Sequence, residues 1–209
     1  LYGDAPVDPG FQDVAYRWLA DDCPSPPEID LAHGAVDAVE RLLAAYLVSG
    51  DKVAVESPCF ISSINTLRIA GLQAVGVPVD EQGMQADGLD AALAKGVQAV
   101  LITPRAHNPT GSSLSAERAA QIRAVLERHP QVLVLVDDHF ALLSEAKYQQ
   151  VIPASSRRWA LIRSVSKALG PDLRLAAIGS DRETSQRLRL RLASGTTWVS
   201  HLLQDIAHT

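Results

Sequence analysis

Short apolar runs, rich in β-branched residues and bounded by charged or turn-forming residues, recur along the chain. They are Lys52-Val53-Ala54-Val55-Glu56, Val97-Gln98-Ala99-Val100-Leu101-Ile102, Val132-Leu133-Val134-Leu135-Val136, Trp159-Ala160-Leu161-Ile162 and Leu175-Ala176-Ala177-Ile178. Runs this short and this continuously apolar predict strands buried on both faces. Between them the spacing turns helical. From Gly34 to Val48 the apolar positions are 35, 36, 39, 42, 43, 46 and 47, the stripe of an amphipathic helix. Ser115, followed by Glu117-Arg118 in the first turn, opens a second helix. Further helices are predicted at 11–20, 60–70, 87–95 and 181–193, and Trp198-Val199-Ser200-His201-Leu202-Leu203 starts a last one. The patch Cys23-Pro24-Ser25-Pro26-Pro27 reads as a loop. Strands alternating with helices predict an α/β architecture, a three-layer α/β/α domain with a mostly parallel sheet. Its ligands would bind at the carboxyl ends of the strands.

Composition narrows the classes without choosing one. The chain has 209 residues, 47% of them hydrophobic, enough for a sizeable core. Its formal net charge of -5 gives no overall electrostatic footprint for nucleic acid or anionic lipid. Arg187, Arg189 and Arg191 would spread over more than one face of their helix, which fits a solvated surface. Cys23 and Cys59 are far apart and form no Cys-x-x-Cys pattern. That argues against a disulfide framework or zinc site and suits a reducing compartment, the cytoplasm by default. No charged and apolar leader pattern opens the chain, and no apolar run reaches membrane-spanning length. With Leu at position 1 and a helical pattern running into the last residues, the chain is expected to be a fragment of a longer protein.

The candidate chemistry lies at strand ends and helix starts. Ser164-Val165-Ser166-Lys167-Ala168-Leu169-Gly170-Pro171-Asp172-Leu173-Arg174 sets a lysine among hydroxyls with an arginine downstream. A lysine amine condenses with a carbonyl, and a guanidinium with a serine hydroxyl can hold a phosphate beside it. A solvated lysine in a loop after a strand is the ordinary reading of so short a run taken alone. Ala32-His33-Gly34-Ala35-Val36 precedes a helix whose free N–H groups could receive that phosphate, although one glycine before a helix is also plain turn chemistry. Asn108-Pro109-Thr110-Gly111 presents either an amide held by the next proline or simply a turn. Asp137-Asp138-His139-Phe140 ends a strand with a carboxylate that could keep a ring nitrogen protonated, or could cap the turn. Phe60, after Glu56-Ser57-Pro58-Cys59, could lie against a flat ring or belong to the core.

Taken together, Gly34, Phe60, Asn108, Asp137, Lys167 and Arg174 run in an order and at intervals that resemble the fold-type I pyridoxal-phosphate enzymes, the aminotransferase class I/II family. The resemblance covers nearly all of the chain. It implies pyridoxal 5'-phosphate as cofactor, an internal aldimine at Lys167, and Asp137 paired with the pyridine nitrogen, which makes these two the catalytic positions. It further implies Asn108 on the phenolic oxygen, Phe60 stacked on the ring, and Ser164, Arg174 and the backbone at Ala35 and Val36 on the phosphate. Tyr2, in Tyr2-Gly3-Asp4, matches a tyrosine that reaches the neighbouring phosphate from the partner subunit, so a homodimer is implied.

Three departures from the family pattern stand out. Phe140 replaces a tyrosine whose hydroxyl would meet the phenolic oxygen, Val7 replaces a frequent glycine, and His33 replaces a serine or threonine. The resemblance also implies that the chain stops before the small C-terminal domain that carries the substrate arginine of aminotransferases. Within the family, Thr103-Pro104-Arg105-Ala106-His107-Asn108-Pro109-Thr110-Gly111, Asp137-Asp138-His139-Phe140-Ala141-Leu142-Leu143 and Arg163-Ser164-Val165-Ser166-Lys167 resemble the PtsJ-type MocR regulators. There a GntR-like winged helix precedes an aminotransferase-like domain linked to control of vitamin B6 salvage. The resemblance implies an effector domain that senses pyridoxal phosphate and meets DNA only through a domain outside this chain. A working aminotransferase acting on an amino acid and a 2-oxo acid is the alternative.

Overall fold

The computed structural model describes residues 5–193 and 198–208. Eight strands form one sheet: β1 (Glu28–Ala32), β2 (Lys52–Ser57), β3 (Gln73–Asp80), β4 (Gly83–Met84), β5 (Ala99–Ile102), β6 (Leu133–Asp137), β7 (Trp159–Ser164) and β8 (Ala176–Ser180). Their order is β1-β8-β7-β6-β5-β2-β3-β4. The run from β7 to β3 is parallel, whereas β8 is antiparallel to both neighbours and β4 closes the far edge antiparallel to β3. The helices are α1 (Pro9–Leu19), α2 (Ala35–Tyr46), α3 (Ile61–Ile69), α4 (Ala86–Ala94), α5 (Ala116–Glu127), α6 (Arg182–Ala193) and α7 (His201–His208). A 3-10 turn at Ala20–Asp22 follows α1.

Alternation along the strands divides the core into two layers. Ala54, Val100, Ile102, Val134, Val136 and Leu161 pack on one face with α1, α4 and α5. Val53, Val55, Leu101, Leu135, Ala160 and Ile162 pack on the other with α2, Leu67 of α3 and Leu188 of α6. The three-layer α/β/α expectation is therefore met. No helix among the described residues is long and apolar enough to cross a membrane.

The five strands read from the sequence are all present, with ends moved by a residue or two. Three others were not foreseen. β1 alternates acidic and apolar residues directly after the proline patch, and its Asp30 is buried because Ser185 and Arg189 of α6 donate to its two carboxylate oxygens. β3 carries Gly76 and Pro78 and buries only Val77 fully, so it lacks the apolar continuity of a central strand. β4 has two residues. Of the arginine run, Arg187 pairs with Glu183 on the surface, while Arg189 turns inward to Asp30.

One buried ionic cluster ties the strand ends together. Asp138 is wholly buried; Arg105 holds it through Nε at 2.7 Å and Nη2 at 2.8 Å, and Arg163 through Nε at 2.9 Å. Arg163 also reaches Asp22 at 2.5 Å and donates to the Trp18 carbonyl, which brings in the 3-10 turn and the end of α1. Removing one member of such a cluster leaves uncompensated buried charge. Asp138→Ala is expected to cost about 3–5 kcal/mol in urea unfolding. Asp90→Ala, which loses only an exposed pair with Arg128, should cost less than about 1 kcal/mol.

Candidate cofactor-binding site

Sheet register assembles the first half of the site. Ala32 of β1 pairs with Ala176 of β8, and Ala176 pairs with Ser164 of β7. Because β8 runs against its neighbours, its start lies at the edge where β1 and β7 end. Gly34, Arg174 and Ser166 each lie two residues beyond this row, so they converge. Arg174 Nη2 donates to the His33 carbonyl at 3.2 Å, and Nη1 donates to the Ser166 hydroxyl at 3.4 Å.

Gly34 is the N-cap of α2, with φ of 94° and no side-chain cap. A Cβ there would lie 2.4 Å from Arg174 Nη2. The absent side chain therefore leaves room for the guanidinium, while φ itself favours glycine. The first helical bond comes from the Ala38 N–H to the Gly34 carbonyl at 3.1 Å. The N–H groups of Ala35 and Val36 at the positive helix end have no intrahelical acceptor. Two free donors, a helix terminus and a guanidinium form a cradle whose chemistry fits a phosphate.

The two serines differ in role. Ser164 is buried; its hydroxyl donates to the Leu175 carbonyl at 3.3 Å and accepts the Ser166 N–H at 3.2 Å. It fastens the turn that carries Lys167 to the start of β8. Ser166, absent from the sequence-derived set, is the hydroxyl that meets Arg174. Its place one residue before the lysine gave no local signal of that contact.

The second half of the site gathers at the end of β6. Asp137 Oδ1 is buried and has no hydrogen-bond partner. Its Oδ2 lies 3.2 Å from Nδ1 of His139. Burial disfavours the charged imidazole and is the largest influence on it, with Lys167 acting in the same direction. Asp137 and Asp138 together outweigh both and raise His139 above its ordinary value. The His139 and Phe140 rings are 4.7 Å apart, and Lys167 Nζ stands 5.7 Å from the centre of the Phe140 ring. Lys167 itself is exposed on the turn after β7.

Asn108 lies in an exposed turn after β5. The turn is held from behind. The Gly111 N–H donates to the His107 carbonyl at 2.6 Å, and the His107 N–H donates to the Ser112 carbonyl at 2.9 Å. His107 Nδ1 is 2.8 Å from the Thr110 hydroxyl, and Nε2 is 3.2 Å from the buried Glu56 carboxylate at the end of β2. Glu56 also accepts the Thr103 N–H at 3.0 Å. This buried support was not visible in the sequence, since its members are 47 residues apart. Phe60, the N-cap of α3, is 36% exposed. The neighbouring Cys59 thiol is pushed up to about 11, by burial first and then by Glu56, with Asp137 adding to the rise. The β2–α3 turn is thus within electrostatic reach of Asp137. Tyr2 lies outside the described residues.

The mostly parallel sheet covered by helices is the α/β fold of the fold-type I aminotransferases. The chain belongs to the aminotransferase class I and II family, whose sequence model matches residues 2–209. It is 60% identical over 208 residues to the vitamin B6 salvage pathway transcriptional repressor PtsJ of Salmonella typhimurium, covering all of this chain and 48% of that protein. It is 30% identical over 178 residues to YdcR, an HTH-type transcriptional regulator of Escherichia coli, covering 81% of this chain and 37% of the other. The chain thus spans half or less of the length of these relatives. Among solved structures, α-aminoadipate aminotransferase LysN from Thermus thermophilus, complexed with N-(5'-phosphopyridoxyl)-L-leucine, matches with a TM-score of 0.86 at 22% identity. The match covers 100% of this chain and 54% of that one.

The phosphate cradle yields a direct test. Gly34→Ala drives a methyl group into Arg174 and should weaken binding of pyridoxal phosphate at least tenfold, about 1.4 kcal/mol, in a fluorescence titration of the full-length protein. Gly50→Ala is the control, because Gly50 has a similar φ of 95° but nothing within 4 Å of the added carbon. It should leave the affinity unchanged.

Proposed function

We propose that this chain is the pyridoxal-phosphate-binding effector domain of a MocR-type transcriptional regulator of vitamin B6 metabolism. The observation that carries the reading is the 60% identity to a vitamin B6 salvage repressor along the whole chain. The full protein would place a winged-helix DNA reader before this domain and a small domain after it.

The residues present fit the cofactor. The unpartnered Asp137 Oδ1 suits a pyridinium N–H, and the cradle at Gly34 and Arg174 suits the phosphate. When bound, pyridoxal phosphate supplies an aldehyde for the lysine and a cationic ring that withdraws electrons. Lys167 offers its amine from an exposed turn. Asp137 holds a proton on the ring nitrogen by placing negative charge beside it. Asn108 would hydrogen-bond the phenolic oxygen, and Phe60 would stack on the ring. Ser164 fixes the lysine turn, while Arg174 and the N–H groups of Ala35 and Val36 would bind the phosphate. Phe140 has no hydroxyl to add.

The same reading includes a homodimer. α3 leaves Ile61 and Ile69 exposed at 73% and 82%, and beside it β3 is largely uncovered. A second copy would bury this apolar face, and Tyr2 would reach the phosphate from the partner subunit.

A regulator needs the cofactor to bind one conformation better than another. Pyridoxal phosphate should change operator affinity of the full-length protein about 5- to 150-fold, the usual range of allosteric coupling. Lys167→Ala should abolish both that response and the visible absorbance of lysine-bound cofactor. Equal operator affinity with and without cofactor would refute the regulatory reading. Conversion of the bound cofactor to pyridoxamine phosphate on adding amino acids would assign catalysis instead.

A further inference from the structure

Asp137 is shared. One oxygen is buried and without a hydrogen-bond partner, and the other lies 3.2 Å from His139 Nδ1, a contact of charge, since Nδ1 has no hydrogen-bond partner either. Both side chains are about seven-eighths buried, at 14% and 13% exposure, so little solvent screens them from each other. The remaining charged groups around the imidazole are fixed by the structure. Asp138 is paired with Arg105 and Arg163, and Lys167 Nζ, on the turn after β7, stands 5.7 Å from the centre of the Phe140 ring. Cys59, on the β2–α3 turn, has its thiol held in the neutral form, by burial first and with Asp137 adding to the rise.

We propose that His139 is a positioning residue that sets, through the shared carboxylate of Asp137, how firmly the cofactor's ring nitrogen holds its proton. The inference rests on the cofactor reading above. A cationic imidazole beside Oδ2 cancels much of the negative charge that a pyridinium on Oδ1 requires. A neutral imidazole leaves that charge available. Ring nitrogen and imidazole therefore compete for one carboxylate, and each proton makes the other harder to hold. His139 gains its charge as pH falls, so the competition is strongest at low pH and relaxes as pH rises through the imidazole's own midpoint.

The test uses full-length protein loaded with cofactor labelled with nitrogen-15 at the pyridine nitrogen, whose chemical shift distinguishes N–H from bare N. His139→Gln should raise the pH at which the ring nitrogen loses its proton by about one pH unit or more, the usual effect of a charge within a few ångströms. Linkage demands the reciprocal effect in the unmodified protein. Loading with cofactor should lower the midpoint of nitrogen-15-labelled His139 by a similar amount, an arm that needs no variant to fold. The shift falls on whichever of the two groups loses its proton first as pH rises, so a ring nitrogen unmoved by His139→Gln together with a His139 midpoint unmoved by loading overturns the proposal. Asp137→Asn separates two kinds of failure. A ring nitrogen indifferent to Asp137 removes the cofactor assignment itself, whereas one that responds to Asp137 while neither His139 arm shifts removes only the role of His139.

Discussion

The wholly buried carboxylate of Asp138, gripped by Arg105 and Arg163, is the constraint on which the site's geometry depends. Buried ion pairs often add little net stability, because desolvation offsets attraction. What this one does is fix relative position. Arg105 comes from the segment after β5, Asp138 from the residue after β6, and Arg163 from within β7. Arg163 extends the tie to the Trp18 carbonyl at the end of α1 and to Asp22 in the 3-10 turn after it. The turns that carry Asn108, Asp137 and Lys167 thus leave the sheet from strand ends locked to one another. Asp137, one residue earlier, keeps its partnerless oxygen in a setting that cannot easily collapse around it.

The central parallel strands were legible because their chemistry is local. A strand buried on both faces must be apolar along its buried length, and β5 is so throughout, β6 as far as Val136 and β7 as far as Ile162. β1 was not legible for the opposite reason. Its Asp30 is acceptable in a core only because Ser185 and Arg189 arrive from α6, more than 150 residues later. Missing β1 had a consequence for the site, since only the β1–β8–β7 register shows why Gly34 and Arg174 meet. The sequence pattern named both residues, yet the reason for glycine at position 34, a guanidinium lying where a Cβ would go, is visible only in three dimensions. The Asp138 cluster was hidden in a similar way. Two adjacent aspartates look alike in a sequence, and only the arginines distinguish the one that is structural from the one that faces the site.

The departures at Phe140 and His33 fall in two places, the end of β6 and the residues just before α2. Phe140 brings a bare ring against His139 and toward Lys167, where a tyrosine would bring a hydroxyl. His139 draws on the carboxylate beside it. His33, in place of a serine or threonine, contributes its carbonyl to Arg174 and its N–H to Asp37, so this residue serves the cradle through its backbone. A backbone contact survives changes of side chain, which is how the cradle tolerates the replacement.

These differences fall on one side of a physical division. Capturing a phosphorylated aldehyde requires a phosphate cradle and an accessible amine, and both are formed by residues fastened to strand ends. Turning it over requires charge stabilisation that grows after binding, which depends on the ring's protonation and on hydrogen bonds to its oxygen. The missing Phe140 hydroxyl and the His139 contact both bear on this second requirement. A sensor has no use for it, because a ligand shifts a conformational equilibrium by its differential affinity alone. Under the proposed reading, selection for a signal would preserve Gly34, Arg174 and Lys167 while leaving positions 139 and 140 free to depart from what catalysis demands.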